Sequence, residues 1–223
     1  MIGLMREFYG RLPASLRMAT LVKRREPLWI GRGIVFIHVP KAAGTSINQA
    51  LYGRFMGHPR ASDVERWGST RLRALPRFAV VRNPWDRLLS AYRFARRGSG
   101  VGGIVAGMQN PQQYRVPEFE SFDRFVHEWL APRKVITLDG VFKPQHWFLY
   151  SPERELLVNH LGKLENLEPT YAFIEHSIGQ AIDLPRSNQS GERIDYRQVY
   201  TPETRAIVES IYRQDVETFG YDF

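Results

Sequence analysis

The sequence predicts an α/β fold: a single domain with a central parallel sheet flanked by helices. Two stretches carry that expectation. Residues 34–39 and 77–82 are short runs dominated by apolar, largely β-branched side chains, and each leads through a turn into a helical apolar stripe. Strand then helix, twice, with strands too apolar to face water, is the pattern of a parallel sheet covered on both sides. Ligands of such sheets bind at the carboxyl ends of the strands. Lys41 and Arg82, each closing its strand, therefore share one rim.

The first unit, residues 33–51, reads GIVFIHVPKAAGTSINQAL. Pro40 halts the strand, residues 41–46 make a turn of small side chains, and Ile47, Ala50, Leu51 and Phe55 then recur at helical spacing. A tight loop holding Ala43 and Gly44, with a helix opening at Thr45 and Ser46, makes an anion site. Its free backbone N–H groups and the positive end of the helix dipole face the ligand, and Lys41 adds a full charge. A nucleoside-triphosphatase loop is excluded, because there the lysine directly follows the last glycine and a hydroxyl serves magnesium. Here the lysine stands three residues before Gly44. Taken alone, the stretch also reads as an ordinary strand-to-helix turn with a surface lysine.

Further along, Ser62 or Asp63 is placed to cap a short helix ending at Arg66 or Trp67. The second strand stops at Asn83-Pro84, with Asn83 as helix cap and Pro84 in the first turn. Trp85, Leu88, Leu89, Tyr92 and Ala95 form the apolar stripe of that helix, and Asp86, Ser90, Arg93 and Arg97 fall on a polar one. Residues 98–117 read as a long glycine-rich loop, a length that in a compact domain points to function or disorder. An aromatic-rich helix is expected over 119–130 and irregular chain over 134–150. Short strands are expected at 155–158 and 162–164, then a helix over 169–177 and a polar loop over 187–196. Thr201 caps a last helix with Pro202 at its first position and Ile207, Val208, Ile211 and Tyr212 inward.

At 223 residues the chain suits one domain, taken as 31–223 with residues 1–30 as an N-terminal extension. No run approaches the ~18 apolar residues that span a bilayer, and Arg6, Arg11, Arg17 and Lys23 interrupt any secretory signal. A basic amphipathic arm resting on a membrane or partner is the alternative for that extension. Zero cysteines exclude disulfides and thiolate metal sites and fit a reducing, cytoplasmic setting. A net charge of +8 favours an anionic partner, although a solvated basic surface gives the same number.

Two strand ends thus converge on one ligand. Lys41 with the Gly44–Ser46 amides can hold one anionic group; Arg82, a bidentate fork for phosphate, can hold a second with the Ser90 hydroxyl. For Arg82 the competing role is a salt bridge to Asp86. The segments VPKAAGTSI (39–47) and VVRNPWDRLLSAY (80–92) resemble the 5′-phosphosulfate loop and the 3′-phosphate motif of sulfotransferases. The resemblance is closest to the carbohydrate branch that includes heparan sulfate 2-O- and 6-O-sulfotransferases and shorter bacterial relatives. It extends through KPQ (143–145), GKLENL (162–167) and the stretch 196–223.

The resemblance implies a P-loop-like sulfotransferase fold, 3′-phosphoadenosine 5′-phosphosulfate as co-substrate, and no metal. Lys41, Ala43, Gly44, Thr45 and Ser46 would bind the 5′-phosphosulfate, and Arg82 and Ser90 the 3′-phosphate. It also implies a histidine base in the position of His58, in the loop leaving the first helix, with Lys41 stabilising the bridging oxygen. Sulfuryl transfer, like phosphoryl transfer, asks a protein mainly for positioning and charge stabilisation. Of the other histidines, His127 and His176 fall in expected helices, His160 borders a strand, and His38 lies within one, where packing is its expected job. His146 is the runner-up base; Glu165 is read as structural or acceptor-positioning. The acceptor is expected to be a saccharide or another hydroxyl compound, neutral or anionic, and not a nucleic acid. Lys143, Gln145 and His146 are its candidate contacts, while Trp147 suits a sugar or the core equally. Two rivals remain: a P-loop-type nucleotide kinase, which lacks the lysine–hydroxyl pair after the glycine, and a catalytically inactive polyanion-binding module.

Overall fold

The structure is a computed structural model that describes residues 13–97, 111–183 and 195–223. It is an α/β domain around a three-stranded parallel sheet, ordered β1 (Val35–Ile37), β2 (Arg77–Val81), β3 (His160–Lys163). Phe36 pairs with Phe78, and Phe78 with His160. All of β1, and β2 from Phe78 onward, are buried, as their apolar sequence requires. Tyr52 closes the outer edge of β1: its hydroxyl donates to the Ile34 carbonyl and accepts from the Phe36 N–H, both at 3.0 Å.

Helix α1 (Ala14–Arg32) precedes the sheet and packs on it through Val22 and Trp29, both fully buried. Between β1 and β2 come α2 (Gly44–Tyr52), α3 (Ala61–Trp67) and α4 (Thr70–Arg73). Glu26 of α1 accepts the Ser69 N–H at the start of α4, so α1 is tied to this layer. Helix α3 begins two or three residues earlier than its sequence suggests. Arg60 is its cap residue and Asp63 accepts the Arg60 N–H at 2.9 Å. Helix α5 (Pro84–Arg96) follows β2 directly, with Asn83 Oδ1 accepting the Trp85 N–H as expected of a cap.

The expected helix over 119–130 is broken. A 3₁₀ turn (Pro117–Phe119), a short helix α6 (Phe122–Arg124) and a π-helical stretch (Phe125–Leu130) share the span. There Phe119, Phe122, Phe125 and Trp129 build an aromatic cluster with Tyr92 and Phe142. Two of these rings, Phe125 and Trp129, come from the π-helical stretch, and Phe119 and Phe122 from the turns before it. After the short helix α7 (His146–Leu149), the strand expected at 155–158 is absent; Leu156 makes only an isolated bridge with Tyr150 and is exposed. The strand expected at 162–164 is present two residues earlier, as residues 160–163 on the free edge of β2. Gly162 is needed there: a Cβ would come within 1.9 Å of Thr170 Oγ1 on α8 (Glu168–Ile178), which packs directly on the strand backbone. The last helix of the sequence reading is two, α9 (Pro202–Ile211) and α10 (Arg213–Phe219), broken at Tyr212. Of the expected loops, 98–110 and 187–194 lie outside the described residues. Among the described residues no helix is long and apolar enough to cross a membrane.

Candidate active site

A cavity of about 450 Å³ opens at the carboxyl ends of β1 and β2. Lys41, Ala43, Gly44, Thr45 and Ser46 line it from the β1–α2 loop, Arg82 and Ser90 from β2 and α5, and His58 from the loop after α2. His38, Phe55, Phe94 and Val141 complete the walls. Lys143, Gln145 and His146 do not reach it.

The β1–α2 loop is strained into shape. Lys41 (φ 70°) and Ala43 (φ 57°) both take the left-handed conformation without being glycine, at a cost on the order of 1 kcal/mol each. The reward is orientation. The Pro40 and Lys41 carbonyls are taken up by Arg87 and Arg82. The N–H groups of Lys41, Ala43, Gly44, Thr45 and Ser46 find no acceptor among the described residues. The last of these are the unsatisfied first-turn donors of α2, where the helix dipole adds its positive end.

Lys41 pairs with no carboxylate among the described residues; its ammonium lies 4.2 Å over the Phe94 ring. Burial first, then repulsion from Arg82 and Arg97, lowers its pKa to about 8. Arg82 departs from the expected fork for phosphate. Its Nε and Nη2 grip Asp86 at 2.8 and 2.6 Å, and Nη1 donates to the Lys41 carbonyl at 3.1 Å. The bidentate edge is therefore taken by the competing partner. A guanidinium carries five N–H groups, so the outer Nη1/Nη2 edge still has donors for an anion. The Ser90 hydroxyl, also on the cavity, has no hydrogen bond to another described residue.

His58 is held by its Nδ1, 2.9 Å from the His38 carbonyl. A carbonyl only accepts, so Nδ1 carries the proton and Nε2 keeps a lone pair. Burial, and secondarily the charge of Lys41, lowers the His58 pKa to about 4, so the ring is neutral at pH 7. His38 does more than pack. It lines the cavity, its ring centroid is 4.2 Å from that of His58, and its Nδ1 accepts from Asn48 Nδ2 at 3.1 Å. Burial keeps it well below the ordinary histidine range. The sequence carried one sign of this, a single histidine inside an otherwise apolar strand.

The two acceptor candidates Gln145 and His146 have another job. Gln145 is fully buried, with Oε1 accepting the Arg82 N–H and Nε2 donating to the Arg82 carbonyl, so it positions Arg82 and cannot touch an acceptor. His146 donates from Nδ1 to the buried Asp215 at 2.7 Å. Lys143 instead stacks over Trp147 at 4.2 Å, and Arg60 lies over the same ring at 4.8 Å. Glu165 is structural in the way expected: Oε1 accepts the Asn83 N–H and Oε2 the Tyr221 hydroxyl.

A strand–loop–helix turn with free amides, a facing arginine and a buried neutral histidine thus share one cavity. A model of the sulfotransferase family matches residues 31–222, and the chain belongs to that family. It is a transferase of sulfuryl groups. No curated protein and no solved structure matches the chain.

Proposed function

We propose that the protein moves a sulfuryl group from 3′-phosphoadenosine 5′-phosphosulfate to a hydroxyl of a carbohydrate or glycoconjugate, with His58 as general base. The observation that carries this reading is the convergence, on one cavity, of loop amides without an acceptor among the described residues, of Lys41, which has no carboxylate partner among them, and of His58, whose Nδ1 is bound so that Nε2 keeps a lone pair. The residues present suit such a donor. The loop amides and Lys41 meet a 5′-phosphosulfate, and the free edge of Arg82 with Ser90 meets a 3′-phosphate. A second cavity of about 380 Å³, across the Arg82–Asp86 pair and lined by Tyr196, Tyr221 and Glu165, offers room for the adenosine.

In this reading His58 Nε2 takes the proton of the acceptor hydroxyl as its oxygen attacks sulfur in line. The bond from sulfur to the phosphate oxygen breaks, and Lys41 meets the charge left on that oxygen. A bound donor anion also offsets the cationic crowding that depresses Lys41. Calorimetric titration with 3′-phosphoadenosine 5′-phosphate against ATP-Mg tests the donor, and transfer of labelled sulfate to a panel of saccharides tests the acceptor. Equal or tighter binding of ATP-Mg would overturn the donor assignment.

A further inference from the structure

Arg87 lies on α5 and is 1% exposed. Burying a guanidinium costs several kcal/mol unless partners offset it, yet no carboxylate among the described residues comes within ion-pair distance. Its acceptors are main-chain carbonyls on two different segments. Nη1 reaches Pro40 O at 3.4 Å and Val141 O at 3.2 Å, and Nη2 reaches Lys143 O at 2.6 Å. Its Nε–H has no partner among the described residues. The guanidinium carbon also lies 5.6 Å from the centroid of the Tyr212 ring, so the buried charge is held by main-chain carbonyls and an aromatic face rather than by a described counter-ion.

Two of the three carbonyls belong to residues that line the cavity, and the third, of Lys143, lies two residues beyond one of them. Pro40 immediately precedes Lys41 in the anion loop, and Val141 lines the cavity from the other side. The segment around Val141 is irregular chain held from outside. Tyr212 donates to the Phe142 carbonyl at 2.7 Å, and Asp215 accepts the N–H groups of Gln145 and His146. One rigid guanidinium thus bridges two walls that are distant in sequence and have no regular hydrogen-bond ladder between them.

We propose that Arg87 is a positioning residue that locks the anion loop to the Val141–Lys143 wall and so fixes the span across which the group is transferred. This rests on the transfer reading above. The chain has no cysteine, so spin labels attach only where cysteines are introduced, at the exposed positions Gln49→Cys on α2 and Thr137→Cys beside the opposite wall. The distance distribution between the labels is measured in otherwise native protein, in Arg87→Met and in Arg87→Lys, whose single ammonium cannot span both walls. Thermal melting confirms that each variant is folded; if Arg87→Met is not, Arg87→Lys carries the test. The expected result is a broadened or shifted distribution, with kcat lowered on the order of 100-fold and affinity for 3′-phosphoadenosine 5′-phosphate little changed. Unchanged distances, or broadened distances with unchanged kcat, overturn the proposal. The distances need no turnover, so a wild-type protein that transfers no sulfuryl group would count against the activity and leave them to decide on Arg87.

Discussion

A methyl group on Gly44 would lie 1.7 Å from Cδ2 of His38 and 2.0 Å from its Nε2. The glycine of the anion loop and the histidine of the strand thus occupy one space, and only the absence of a side chain on one allows the ring of the other. Gly44→Ala is expected to destabilise the fold by about 1–3 kcal/mol and to displace His38, and with it His58. Denaturant unfolding and sulfuryl-transfer assays on the same sample check both effects.

The two pKa shifts bracket the activity. His58 must be neutral to act as a base and Lys41 charged to meet the leaving oxygen. Because kcat/KM reports the free enzyme, it is expected to fall below about pH 4 and again above about pH 8. A bound donor moves the upper limb to higher pH. Stability follows its own sign. The folded His58 pKa lies below the unfolded one, so the unfolded chain binds the proton more readily. Stability is full above the unfolded value and is lost as pH falls toward about 4. A kcat/KM profile and melting points across this range test the pair.

His58→Ala is expected to abolish transfer while leaving affinity for 3′-phosphoadenosine 5′-phosphate intact, because only the base is lost. Transfer retained by the purified variant would remove His58 from the mechanism.

Lys41→Met keeps much of the side-chain length and removes the charge. A fall of kcat by about 10²–10³ is expected, the usual scale for losing one electrostatic contact to the developing charge. Acceptor KM should move little. Single-turnover kinetics separates the chemical step from donor binding.

Arg82 serves two partners at once, Asp86 and the Lys41 carbonyl. Its replacement by alanine is expected to weaken product-nucleotide binding by about 10- to 100-fold, the worth of a charged hydrogen bond. Arg82→Lys should not restore it, since an ammonium lacks the fork that meets both partners together. Calorimetry on the two variants decides this.

Much of this architecture is legible in the sequence, because strands β1 and β2 and helices α2 and α5 announce themselves through apolar runs and through Asn83-Pro84. The placing of Lys41 and Arg82 on one rim follows from strand polarity, and that of Ser90 from the polar stripe of the helix after β2. Strand β3 is legible only in part: a short strand is expected at 162–164 and found at residues 160–163, with Gly162 set against Thr170. Gln145 looks like a surface amide until its two bonds to the Arg82 backbone, 63 residues away in sequence, are seen. Arg87 is hidden for the same reason: nothing in its neighbours predicts carbonyls arriving from residues 40, 141 and 143. Long-range partners of polar groups are what a local pattern cannot carry.

The turn that presents Arg82 is finished from far along the chain. Asn83 Nδ2 donates to the Asp222 carbonyl across 139 positions, while Phe223 packs edge-on against Trp85. In folding terms this is a late closure, since a loop of that size must be gathered before the contact rewards it. The β1–α2 cradle can form from local contacts; its arginine partner gains its final footing only when residues 221–223 dock. Removing those residues should therefore cost donor affinity although none of them lines the main cavity, and refolding experiments should see donor binding appear after the sheet has formed.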